Sequence, residues 1–492
     1  MPDIDSITVR MYNTGSVGDC LLLLFKKNNV VSYSTLIDCG GFNTSAQIIT
    51  DCANDIKKTI GAENPLDLVI ITHEHLDHVS GFNQAKAVYD TIPFNQVWMG
   101  WTEDPTDPIA KKLKKTLGKK LQAMVTTLSE QHKKAGARLR HTGNTDGLNK
   151  RLRHYSKSWG EVLDALHFEK GVSSKKDLGA KLTVSSAMDY VKKKSKEKSK
   201  EKMYHKPGEV ITDIKGAEGI KFHILGPPYD EDLSGIKNKM QQDELYSLTK
   251  HASFASHQAF LNALTNDSSA PQFSKSPFSE KFALNAADKK NFFKNYNSKN
   301  IAWRQIEEDW LETTEQLAIA VNTYTNNTSL AMAIEFEQSG KVLLFPADAQ
   351  SGNWISWHSE TVTKALKKNG GKTADELLDK TVFYKVGHHG SHNGTASKSG
   401  LDKMGNTRQL VAMMPLVQDK VPSQWGGSKN FPAKALYTEL IKKTNGAIIR
   451  TDEGVIKDPR AKELREKNLS DAMQKKLKNA GKPLYQEWTV EG

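Results

Sequence analysis

The ten residues 72–81, THEHLDHVSG, constrain this chain more than any other stretch. His73, His75, Asp77 and His78 fall within six positions, directly behind the apolar run LDLVII. A short apolar run bounded by polar residues reads as a buried strand. A loop leaving such a strand can turn alternate side chains inward. Imidazole nitrogen and carboxylate oxygen are the donor types that zinc, manganese and iron take. His73 and His75, two apart, can face one ion, and Asp77 and His78 can turn toward a second. The bland alternative is a surface histidine cluster, and four such side chains compressed behind one apolar strand argue against it.

The surrounding pattern is α/β. SITVRMYN, CLLLLFKK, STLIDCGG and FNQVWMGW read as strands, SAQIITDCANDIKKTIG as an amphipathic helix, and NQAKAVYD as a helix following a polar loop. The strand pattern returns in IKFHILGPPYD. From Thr328, TSLAMAIEFEQSGKVLLFPADAQ reads as two strands joined by a Ser-Gly turn, and TVFYKVGHHGSHNGT as a strand ending in a His-rich loop. RQLVAMMPL and AIIRTDEGVI read as later strands. AKELREKNLSDAMQKKLKNAGK reads as an amphipathic helix that packs on the body or on a partner. A chain of 492 residues has room for two or three domains, or for one domain with large insertions.

Charge is concentrated in one segment. The formal net charge is +12, yet Lys111–Lys206 holds 26 Lys/Arg against 9 Asp/Glu, a local excess of +17, so the remainder is net −5. KKKSKEKSKEK reads as a solvated loop or a frayed helix end. The segment as a whole is either a solvated surface or a phosphate-binding face. In the second case Tyr155, Trp159 and Phe168 would add stacking to backbone-driven binding of nucleic acid. Three cysteines (Cys20, Cys39, Cys52) are too few for a disulfide framework. No run of 18 apolar residues predicts a membrane span, and no basic region followed by an apolar one predicts a signal peptide. The expectation is a cytoplasmic protein.

THEHLDHVSG resembles the signature of the metallo-β-lactamase superfamily, which implies an αββα sandwich, here with two helical insertions. The resemblance implies that Asp38, in STLIDCGG, supports the loop by hydrogen bonding. It implies that Asp348, in KVLLFPADAQ, bridges two ions, and that His388 or His389, in FYKVGHHGSHNGT, supplies a late ligand. Within the superfamily the resemblance is to the metallo-hydrolase domain of ComEC-type DNA-uptake proteins. It is carried by GSVGDCLLLLF, with Gly18 and Asp19, by NNTSLAMAIEFEQSGKVLLFPAD, by KVGHHGS and by GAIIRTDEGVI.

The implied organisation has a first half over 1–105, a basic helical insertion over 106–210 and a return strand over 211–237. A second helical insertion over 238–322, a second half over 323–460 and a helical tail over 461–492 follow. A third site histidine has no evident counterpart. His141, His223, His251 and His257 are each read as structural, which leaves the first ion with His73, His75 and Asp348 and favours manganese alongside zinc.

The implied function is that of a hydrolase with two divalent ions. Such a pair lowers the pKa of a bridging water to about 7 and holds a hydroxide nucleophile. Asp77 would orient that water and shuttle its proton. Ser391 and His392 would donate to a phosphate or leaving group, although His392 can equally be a simple loop residue. The expected substrate is a phosphodiester, which makes the chain a nuclease. A thioester, lactone or lactam is the small-molecule alternative, because one fold hosts many chemistries. A third possibility is a subunit of a larger bacterial assembly, such as a defence system, docking protein partners through the helical insertions. The sequence leaves the oligomeric state open.

Overall fold

Every residue from Leu21 to Phe25 is apolar, which suits a strand covered on both faces. The structure, a computed structural model, describes residues 3–115, 184–195, 202–229, 325–422, 427–481 and 483–492. In it Leu21, Leu23 and Phe25 join one buried cluster while Leu22 and Leu24 join another. Alternation along the strand thus separates a layer between two sheets from a layer under helices.

The first sheet contains β1 (Ser6–Tyr12), β2 (Cys20–Lys27), β3 (Val30–Cys39), β4 (Leu66–Ile71), β5 (Phe94–Gly100) and β6 (Tyr204–His205) in spatial sequence. β1 to β3 are antiparallel and β3 to β6 are parallel. Its outer face is covered by α1 (Ala46–Ile60), α2 (Leu76–Gln84), α3 (Lys86–Tyr89) and α4 (Val184–Lys194). Ser45 starts α1 by accepting from the Ile48 amide, and Lys57 and Lys58 stand at the negative end of its dipole.

The second sheet contains β7 (Val210–Ile211), β8 (Ile220–Ile224), β9 (Met332–Phe336), β10 (Val342–Phe345), β11 (Thr381–Lys385), β12 (Val411–Met414), β13 (Ile448–Arg450) and β14 (Gly454–Val455), adjacent in that order. β10 to β13 are parallel. α5 (Ser351–Ser356), α6 (Glu360–Lys368), α7 (Ala374–Asp379) and α8 (Lys434–Lys443) cover its outer face. The inner faces of both sheets share one apolar layer, in which Val9, Ile37 and Ile70 meet Phe222, Ile334 and Phe383. This is the expected αββα arrangement of two sheets face to face with helices outside.

Three elements differ from the sequence reading. Asp77 and His78 lie in the first turn of α2, not in a polar loop, because His75 already serves as the helix N-cap. The stretch read as one amphipathic tail helix divides into α9 (Pro459–Asn468) and α10 (Asp471–Lys478), with Ser470 capping the second. Within 461–492, read as a helical tail, the chain then forms β15 (Tyr485–Glu491), whose alternate residues Trp488 and Val490 enter the inter-sheet layer. β15 pairs antiparallel with β1 along the whole of that strand. The start of the lysine run is docked on the body: Lys192 pairs with Glu103 at 3.3 Å and Lys194 donates to the Asp90 carbonyl at 2.8 Å. Most of the basic insertion, the second insertion, and His141, His251 and His257 lie outside the described residues.

Candidate metal centre

Parallel strands bring their carboxyl ends to one edge, where α/β sheets place ligands. β3, β4, β10 and β11 each release a predicted site residue at such an end. Asp38 is the penultimate residue of β3, His73 follows β4, Asp348 follows β10, and His388 and His389 follow β11. Backbone strain gathers there too. Asp38, Ala347, His388 and His389 hold φ of 55°, 53°, 44° and 51°, a left-handed conformation that non-glycine residues adopt at a cost. Two glycines make the close approaches possible. A Cβ on Gly40 would stand 2.5 Å from the Asp77 carbonyl carbon, and one on Gly387 would stand 2.0 Å from the Gly394 oxygen.

Asp38 organises the first half of the site. Its carboxylate accepts from the Thr72 amide at 2.9 Å and from the Thr72 hydroxyl at 2.6 Å, and lies 2.7 Å from His78 Nδ1. A carboxylate only accepts, so Nδ1 carries a proton there. His78 Nε2 then faces Asp348 Oδ2 at 3.1 Å and Asp77 Oδ1 at 3.9 Å. His389 is set in the same way. Its Nδ1 donates to the Pro415 carbonyl at 2.9 Å, and its Nε2 lies 3.2 Å from Asp77 Oδ2 and 3.4 Å from Asp348 Oδ2. Asp77, His78, Asp348 and His389 thus each offer one ligand atom within 4.8 Å of the others, and all four are buried. Asp348 and His389 come from more than 250 residues away in sequence.

The other predicted residues surround this core. His73 Nε2 lies 2.8 Å from His75 Nδ1, and the His73 and His78 rings are 4.2 Å apart. His388 reaches Asp348 at 4.0 Å and lies 3.3 Å from Asn326 Nδ2. Ser391 is engaged within its own loop, with its Oγ 2.9 Å from His388 Nδ1 and 2.5 Å from Asn393 Oδ1. His392 follows it, half-buried. His223 is a structural histidine, as expected: it is fully buried in β8 with its Nε2 2.7 Å from Glu335 Oε2.

Two site residues escaped the sequence reading of roles. Lys385 is fully buried and sits 2.5 Å from Asp19 Oδ2, 3.5 Å from Asp348 Oδ1 and 3.2 Å from the Ala347 carbonyl. Asp19 also lies 3.5 Å from His389 Nδ1, accepts from the Gly40 amide through its carbonyl, and donates its own amide to the Asp77 carbonyl. The available signal was one charge at the end of each of two apolar strand runs, GDCLLLLF and TVFYKV. Such a charge survives burial only with a partner.

Electrostatics follow from this packing. Burial pushes the Asp348 carboxyl up, but His78, His389 and Lys385 override it and hold the group well below its usual range. Asp77 is likewise held low, chiefly by His78 and His389 against burial. Burial lowers His389, yet Asp348 and Asp77 raise it to about 10. His388 falls to about 4, with burial the main cause. His73 falls well below 6.5 through burial and the neighbouring His78 and His75. Lys385 stays charged because Asp19 and Asp348 outweigh its burial.

The donor set fits divalent metal. Asp77 Oδ1 and His78 Nε2 are buried and make no hydrogen bond among the described residues, although both point into the cluster. Both histidines spend Nδ1 on an outer oxygen and present Nε2 inward, the arrangement that orients imidazole ligands. Residues 23–95 match the metallo-beta-lactamase superfamily. This metallo-β-lactamase match takes in Asp38 and His73 to His78, while Asp348 and His389 join them by folding. It designates the superfamily and no group within it, so the likeness to ComEC-type hydrolases is not part of it. No curated protein matches the chain. Together the family match over residues 23–95 and the His/Asp cluster support a metal-dependent hydrolase.

Proposed function

We propose that this chain is a metal-dependent phosphodiesterase acting on nucleic acid. The convergence of Asp77, His78, Asp348 and His389 at one buried point carries the hydrolase part of the reading. Asp77, His78 and His389 with Asp348 would hold one divalent ion, and His73 and His75 with Asp348 a second, zinc or manganese. Ions in such a set act as Lewis acids toward a phosphoryl or acyl oxygen.

The chain's own residues supply the rest. Asp77 is held as a carboxylate at neutral pH and would orient the attacking water and accept its proton. Its place in the first turn of α2 favours that negative charge. Ser391 fixes the His388 ring, its Oγ accepting from Nδ1–H while its own hydroxyl donates to Asn393 Oδ1. Lys385 neutralises Asp19 and Asp348 from behind, so that two carboxylates can stand close to the same point.

The nucleic-acid part rests on the likeness of GSVGDC, KVGHHGS and GAIIRTDEGVI to DNA-uptake hydrolases and on the +17 excess of Lys111–Lys206. The test is metal content by mass spectrometry, together with hydrolysis of bis(4-nitrophenyl) phosphate after loading with zinc or manganese. Two ions per chain and metal-dependent turnover are expected. Cleavage of a thioester, lactone or lactam without any phosphodiester turnover would transfer the site to small-molecule hydrolysis.

A further inference from the structure

A concavity of about 500 Å³ lies beside the His388–His389 loop, formed by residues 427–434, the first turns of α8, the end of β13 and the start of α9. That volume falls in the range of small-ligand pockets. Lys429, Lys434, Arg450 and Arg460 line it, and among the described residues no acidic side chain does. The nearby acids hold the two arginines. Arg450 meets Asp452 at 2.5 Å and Glu453 at 3.2 Å, and Arg460 meets Asp458 at 2.8 Å. Lys429 and Lys434 pair with no acid among the described residues. The pocket therefore carries the positive charge of two exposed lysines beyond the paired arginines, which favours an anionic occupant.

Two further features narrow the occupant. Tyr437 and Phe431 line the same space, next to the cations. Burial holds the Tyr437 hydroxyl up at about 12, so it remains a hydrogen-bond donor. The wall is also shared with the candidate metal centre. The Ala433 amide donates to the Gly390 carbonyl at 2.9 Å, one residue beyond His389, and a Cβ on Gly390 would stand 3.0 Å from Pro432. Cations beside aromatic faces are the combination that holds single-stranded nucleic acid, phosphate by charge and base or sugar by stacking. A duplex keeps its bases stacked inside and presents no unit that could enter a concavity.

We propose that this pocket binds one nucleotide of a single strand flanking the scissile phosphodiester, with its phosphate on Lys429 and Lys434. The proposal rests on the phosphodiesterase reading above and adds the substrate form and the place of its second contact. It is tested in the full chain carrying Asp77→Asn, so that the probe is not cut. The probe is a short fluorescein-labelled oligothymidylate, followed by anisotropy at several salt concentrations.

Adding Lys429→Gln and Lys434→Gln is expected to weaken binding about tenfold. The log–log salt slope should become shallower by about 1.4, since each single-strand phosphate contact contributes about 0.7. Unchanged affinity and slope in the double-lysine variant would overturn the pocket. Displacement of the strand by equimolar inorganic phosphate or thymidine monophosphate would make it a free-phosphate site and overturn the strand assignment, as would tighter binding of the matching duplex. Turnover of bis(4-nitrophenyl) phosphate by the wild-type chain is scored separately. Its absence refutes the hydrolytic reading, while the binding titration still decides the pocket.

Discussion

Replacing Asp38 by asparagine exchanges one oxygen for an amide in a side chain that touches no substrate. Asparagine tolerates the left-handed φ of 55° at this position, which alanine does not, so the exchange isolates the hydrogen bonds. The retained carbonyl can still accept from the Thr72 amide. The new NH2 group cannot accept from His78 Nδ1–H, now 2.7 Å away, nor from the Thr72 hydroxyl at 2.6 Å. Two hydrogen bonds to a charged acceptor are lost, each worth about 1.5–3 kcal/mol. The amide can instead donate to an unprotonated His78 Nδ1, and the Thr72 hydroxyl can rotate to accept, which offsets part of the loss. A net destabilisation of about 2–3 kcal/mol follows.

The larger consequence is tautomeric. Donation to Nδ1 drives the His78 proton onto Nε2, the atom that faces Asp348 at 3.1 Å. That atom can then no longer serve as a ligand, and metal affinity should fall by about 10–100-fold. Three measurements suffice: urea unfolding of metal-free protein, zinc competition against a chromogenic chelator, and the His78 tautomer by nitrogen-edited NMR. A variant that binds zinc as tightly as the wild type, with His78 still protonated on Nδ1, would refute the reasoning.

Asp77→Asn should keep the fold and lower phosphodiester turnover about 10²–10⁴-fold; wild-type turnover would remove Asp77 from the water-orienting role. Lys385→Met leaves the Asp19 and Asp348 carboxylates buried without their cation and should cost about 3–5 kcal/mol in metal-free protein, seen as a lower urea midpoint that Asp19→Asn partly restores. Glu335 is pushed up by burial but held below its ordinary 4.5 by His223 and Lys372, so its contribution is complete above pH 4.5 and is lost as pH falls through the depressed native value. The stability gap between the wild type and Glu335→Gln should therefore narrow below about pH 4.5, and a gap that widened there would contradict the ion pair. Trp488→Ala should cost about 3–5 kcal/mol by thermal or urea unfolding, because Trp488 is 95% buried in the inter-sheet layer, and a loss under 1 kcal/mol would mean that β15 is not part of the core.

The candidate site was legible in the sequence wherever its residues are local. His73 to His78 sit on one strand–helix junction, and six consecutive positions display four donors. Asp348 and His389 could be matched only through a resemblance, since periodicity carries no information about which strand ends share an edge. Asp19 and Lys385 were visible as letters in quoted motifs, but their mutual contact spans 366 residues and depends on the packing of two sheets. β15 was missed for a related reason. YQEWTVE alternates only weakly after two charged helices, and its strand identity comes from the free edge of β1, an element more than 470 residues earlier. α2 was placed late because THEHLDH reads as polar loop, whereas the helix begins at Leu76 under the cap of His75.

That closure between β15 and β1 sets a timetable for synthesis. β1 leaves the ribosome before the other described strands with its outer edge bare, and its inward row of Ile7, Val9 and Met11 is apolar. At about 5–20 residues per second, the wait for Tyr485 is roughly 25–95 s. For that interval the nascent chain presents an unpaired edge beside a half-covered apolar face, the combination on which other strands add. A holdase that shields residues 6–12 during translation would therefore raise the yield of folded chain, and a message truncated before the codon for Tyr485 should direct its product into aggregates even though every candidate metal ligand has already been made.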